Sequence, residues 1–150
     1  MTASPLTHTL RGLSKFQADQ IARLIKYTAC EGGIHPEQII GPCQAPLHVR
    51  YRRAIMYVMR VGYGMTLEKV ARCFRGPGNK PMHHASVCLA VEKVKELEAA
   101  DYYEGKGWKI LAESGQLLPA DVDQIEALRI AIDKHNSMNP PIQIEKTWTR

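Results

Sequence analysis

The chain has 150 residues, 45% of them hydrophobic, which suits one packed core and excludes a disordered polymer. Its net charge is only +5, from 20 basic and 15 acidic residues, an excess that alone says no more than a polyanionic partner. No apolar run reaches the roughly 18 residues of a spanning helix, and MTASPLTHTLRG lacks a signal-peptide core. The expectation is therefore a cytoplasmic protein with no membrane partner. Cys30, Cys43, Cys73 and Cys88 share no C-x-x-C spacing, so four reduced structural thiols are expected, with neither zinc nor disulfides.

The charge is unevenly spread. Residues 1–40 are nearly neutral, with four Lys/Arg against three Asp/Glu. Residues 41–95 hold ten Lys/Arg against only Glu68 and Glu92, a block of +8. Residues 96–136 hold nine Asp/Glu against four Lys/Arg, a block of −5, and the tail adds +1. A basic block of that density is the footprint of a nucleic-acid surface, or else a solvated face balanced by an acidic neighbour.

In chain order the pattern is helical. Residues 1–13 read as a flexible N-terminus. Ser14 and Gln17 have capping-box spacing, and Phe16, Ile21, Leu24, Ile25 and Thr28 then recur on one helical face until Gly32-Gly33. His35-Pro36-Glu37 opens a short helix carrying Ile39 and Ile40, which Gly41-Pro42 ends. A third helix is expected from Pro46 to Val61, with Val49, Ala54, Met56, Tyr57 and Val58 on its apolar side and Met56 and Met59 filling the core. Thr66 caps a fourth, burying Leu67, Val70, Ala71 and Phe74. RGPGNKPM is a loop. A long fifth helix starts near His83–Ser86 and carries Val87, Ala90, Val91, Val94 and Leu97 to about Tyr103. GWKILAES suggests a short further helix, with Trp108, Tyr102 and Tyr103 as packing anchors. Pro119 starts the last amphipathic helix, with Val122, Ile125, Leu128 and Ile132 on its apolar face. Pro140-Pro141 keeps the tail, 137–150, out of any helix.

The expected class is all-α: a helix-turn-helix domain of about five helices over residues 14–104, then a C-terminal extension of one or two helices over 105–136. The pair spanning 66–97, a short helix, a loop and a longer helix with a polar start, is how a helix-turn-helix presents its recognition helix to the major groove.

The stretches YRRAIMYVMR, TLEKVARCF and HHASVCLAVEKVKEL carry a resemblance across residues 18–97. In that order they are similar to the C-terminal DNA-binding domain of the bacterial replication initiator DnaA, a Trp-repressor-like helix-turn-helix. The family pattern runs through A-M-Y-L, S-L-x-x-I-G-x-x-F-G-G and D-H-T-T-V-x-H-A-x-x-K-I. The resemblance implies a stand-alone domain that sets its recognition helix into duplex DNA. The family's Asp-His-Thr-Thr falls on His83, His84, Ala85 and Ser86, and its later His on Leu89. The family's minor-groove Arg falls on Gln44, and RGPGNKPM is longer than the family's turn. No G-x-x-x-x-G-K-[ST] occurs, so the initiator's ATPase module has no counterpart here.

The candidate DNA contacts are Gln44, Arg50, Arg52, Arg53, Arg75, Lys80, His83, His84, Ala85, Ser86 and Lys93. Arginine suits bidentate phosphate or guanine contact, and two of Arg50, Arg52 and Arg53 are expected to face DNA, the remaining one laying its stem along the helix. His83 caps the fifth helix and His84 donates to a base or phosphate, unless both are simply exposed loop histidines. Ser86 reaches a phosphate or caps, and Ala85 suits a thymine methyl. Arg75 and Lys80 belong either to a wing or to a mobile insertion. No nucleophile–base pair, paired carboxylates or metal spacing appears, so no enzyme, cofactor or metal is expected. The function expected is sequence-specific binding of double-stranded DNA by a nucleoid-associated transcription regulator or replication accessory factor of bacterial or phage type, whose C-terminal helices either support the fold or mediate homodimerisation. The alternative is a protein-interaction module that keeps the fold and binds a replication or transcription protein.

Overall fold

The computed structural model describes residues 13–104 and 119–138. Among them the chain is all-α: α1 (Lys15–Gly32), α2 (Pro36–Ile40), α3 (Pro46–Tyr57), α4 (Leu67–Arg72), α5 (His84–Glu104) and α6 (Pro119–Met138). The short helix expected over GWKILAES and Trp108 lie outside the described residues, as do the side chains of Tyr102 and Tyr103 and residues 1–12 and 139–150 of the ends; Ser137 and Met138, expected in the tail, instead complete α6.

Local signals set the helix ends. Ser14 Oγ accepts from the Gln17 N–H at 3.1 Å, which starts α1. Gly33 ends it at φ 73°, a left-handed conformation that costs glycine little. Its N–H donates to the Cys30 carbonyl and the Ile34 N–H to that of Ala29, closing a Schellman turn. The reciprocal capping box forms at α2 instead. There the Glu37 N–H donates to His35 Nδ1 and the His35 N–H to Gln38 Oε1. Thr66 Oγ1 caps α4 by accepting from the Lys69 N–H at 3.3 Å.

The third helix runs as far as expected, but its last turn, Val58–Gly62, widens to π geometry, with the Tyr63 N–H donating to the Val58 carbonyl. The Arg60 guanidinium donates to the Met65 carbonyl and holds the turn that follows.

α3 is the central helix, packed by α1, α2, α5 and α6. Tyr51, Arg52, Ala54, Ile55, Met56 and Tyr57 are therefore all buried, which is most of its circumference rather than one stripe. Ile21, Leu24, Ile25 and Thr28 of α1 face it, whereas Phe16, expected on that face, is exposed. Val70 and Ala71 of α4, Phe74 just after it, and Val87, Val91 and Val94 of α5 join the same core.

α6 is part of this core and not an appendage to it. Ala127, Leu128 and Ala131 are buried in the same cluster as α1, α3 and α5, and Ile125 is buried too. The Lys134 ammonium pairs with Glu31 of α1 at 2.9 Å. The apolar face of α6 is thus occupied within the chain, so that this helix supports the fold, one of the two roles expected of the C-terminal helices. Among the described residues, no helix is long and apolar enough to cross a membrane.

A candidate DNA-binding concavity at the start of α5

Four chain segments meet at the N-terminus of α5. The loop before α3 brings Gln44, α3 itself brings Arg53, the loop after α4 brings Lys80, and α5 begins with His83 and Ser86. Together they rim a concavity of about 470 Å³ with Val49, Met56, Met82 and Ala90 among its apolar lining. None of its lining residues is acidic. Arg53, Arg75 and Lys80 form no ion pair among the described residues.

The glycine-rich loop is built as a pinned turn. The Gly76 N–H donates to the Lys80 carbonyl and the Met82 N–H to that of Phe74, and Arg75 and Pro81 face each other in a single antiparallel bridge. Between them Pro77–Asn79 makes a 3-10 turn with Gly78 at φ 73°. The Arg75 N–H also donates to the Ile40 carbonyl at 2.7 Å, tying the loop to the end of α2. The loop is thus a hydrogen-bonded turn that holds Lys80 at the rim of the concavity.

His83 caps α5 as expected. Its Nδ1 accepts from the Ala85 N–H at 3.1 Å, and its carbonyl accepts from the Ser86 N–H. The rings of His83 and His84 stack with centroids 4.4 Å apart. Both rings, and Ala85 and Ser86, are exposed. The 21-residue α5 directs its positive dipole end at this surface, where backbone N–H groups and the dipole favour an anion. Lys93 lies on the exposed side of α5, two turns beyond Ser86.

Of Arg50, Arg52 and Arg53, two are engaged by polar contacts within the fold. Arg52 is 3% exposed. Its Nε donates to the Ile39 carbonyl, and one guanidinium nitrogen to those of Gln38, Gly41 and Cys43 at 2.7–3.0 Å. Burial lowers its pKa from the ordinary arginine value, and the Arg53 charge adds to that shift while Cys43 opposes it. Arg52 is a structural clamp: it satisfies the carbonyls that a helix of only five residues leaves orphaned. Arg50 turns toward α6, where it pairs with Asp123 at 3.4 Å, and its carbonyl accepts from Gln124 Nε2 at 2.8 Å. So Arg52 and Arg53 both line the concavity, the Arg52 guanidinium turned to backbone carbonyls and Arg53 in no ion pair among the described residues.

Sequence reasoning missed one polar contact here. Cys43 Sγ lies 2.9 Å from His48 Nδ1, beside Gln44 at the mouth of the concavity. Their spacing of five residues spans a loop and a helix start, so no periodic signal marks it. Among the described residues no group of three or more His, Cys, Asp or Glu gathers as a metal site would need. Comparison with family models, with curated proteins and with solved structures found no match to this chain.

Proposed function

We propose that this chain binds double-stranded DNA, with the start of α5 in the major groove and Arg53 and Lys80 on the phosphates. One observation carries the reading. Gln44, Arg53, Lys80, His83 and Ser86, drawn from four segments of the sequence, rim one concavity with no acidic residue lining it. A merely solvated basic face has no need of such convergence, since dispersed cations serve solubility equally well. In this arrangement the cations and the dipole of α5 set the register on the backbone, and His84, Ala85 and Ser86 meet base edges. The resemblance to the initiator's DNA-binding domain agrees with this use of α5 and suggests a transcription regulator or replication accessory factor of bacterial or phage type.

Binding to a duplex measured across a salt series tests the proposal. Affinity falls steeply with salt, and Arg53→Glu and Lys80→Glu each weaken binding to any sequence and flatten the slope by about one unit or more. His84→Ala mainly relaxes sequence preference. No binding even at low salt overturns the reading and favours the protein-interaction module instead.

A further inference from the structure

Among the described side chains of α5, one large apolar group lies in solvent. Leu89 is 73% exposed, on the side of the helix opposite the buried Val87 and Val94. It lies one turn beyond the exposed Ala85, and residues four apart on a helix stack on one face. The other large exposed hydrophobics, Phe16, Tyr27 and Leu47, belong to α1 and to the first turn of α3. Among the described residues, Leu89 is the one of these four on the helix whose N-terminus opens the cationic concavity.

A leucine and an alanine make a strip far smaller than the few hundred Å² of a protein-docking patch. Arg53 and Lys80 beside the helix start call for a polyanion rather than an apolar partner. A duplex supplies both requirements, since the major groove holds one apolar feature among its polar edges, the C5-methyl of thymine. We propose that Leu89, with Ala85, is the specificity-determining contact for thymine methyl groups in the bound duplex. This rests on the DNA-binding reading above. It makes the preferred site one with thymine opposite the first two turns of α5, where the initiator family places a histidine and so a polar contact.

The test uses the full chain and duplexes selected from a random-sequence pool. The selected duplexes are remade with uracil in place of thymine, which removes the C5-methyl and leaves every hydrogen-bonding edge unchanged. The wild type binds the uracil form about fourfold more weakly for each methyl contacted, from roughly 0.8 kcal/mol per buried carbon at 1.4 kcal/mol per decade. Leu89→Ala, at an exposed position that folding does not need, keeps only the discrimination that Ala85 supplies and binds the thymine form more weakly than the wild type does. Equal binding of both forms by the wild type overturns the inference and leaves the DNA-binding reading intact. No binding of either form at low salt overturns both.

Discussion

Arg52 Nε donates its proton to the carbonyl oxygen of Ile39, so a side chain of α3 closes the C-terminal end of α2. Three more carbonyls, from Gln38, Gly41 and Cys43, accept from the same guanidinium. The planar fork of arginine suits this cluster, and a lysine ammonium does not. Truncation leaves several buried carbonyls without a donor, at 1–3 kcal/mol for each group left unsatisfied. Arg52→Ala is therefore expected to lower stability by about 3 kcal/mol, and Arg52→Lys to restore less than half of that. Denaturant midpoints followed by circular dichroism measure both. An Arg52→Ala chain of unchanged stability would show that the clamp contributes nothing.

Arg53, the next residue, is the contrasting case. It rims the concavity on the solvent side of the same helix. Arg53→Ala should leave stability within about 0.5 kcal/mol while reducing affinity for duplex DNA several-fold. The adjacent pair thus separates folding from binding, and the comparison fails if both variants lose the two properties in parallel.

The helices themselves were legible from apolar spacing, caps and Gly/Pro punctuation. Gly33, Pro36, Pro46, Thr66 and Pro119 mark boundaries that the structure keeps. What the sequence could not show is which face of α3 meets which neighbour. Packed on nearly all sides, α3 has no single apolar stripe, and Arg52 and Arg53 look alike in sequence. Their fates differ by about 100° around one helix. The position of α6 was hidden for the same reason: an amphipathic pattern reports that a face is buried, not against what. At the site, the N-terminal capping of α5 by His83 was readable locally, whereas the approach of Gln44 and Lys80 depends on long-range packing.

α6 is anchored to α3 by two polar links of different worth. The Arg50–Asp123 pair is surface-exposed on the Asp123 side, and such pairs contribute little. The Gln124 amide is buried and donates to the Arg50 carbonyl. Asp123→Asn is expected to change stability by less than about 0.5 kcal/mol, and Gln124→Ala to lower it by about 1–2 kcal/mol. Thermal unfolding of the two variants in parallel checks the ranking, which a larger loss in Asp123→Asn would reverse.

His135 gives the fold a pH dependence of known sign. The imidazole is 1% exposed, edge-on to Tyr63 with ring centroids 4.6 Å apart. Burial lowers its pKa from 6.5 to about 4, because the charged form loses its hydration. Well above pH 6.5 the ring is neutral in both folded and unfolded chains and contributes no pH dependence. As the pH falls below that value the unfolded chain takes up a proton that the folded chain refuses. Stability therefore drops until the folded pKa near 4 is reached, by about 3 kcal/mol in all. His135→Phe keeps an aromatic ring against Tyr63 and removes the titration. Its unfolding free energy, measured in urea at several pH values between 4 and 7, should fall less steeply with acid than that of the wild type. The slope is the relevant readout, since a packing defect would displace the curve without tilting it. Parallel curves would mean that His135 takes up its proton in the folded chain as readily as in the unfolded one.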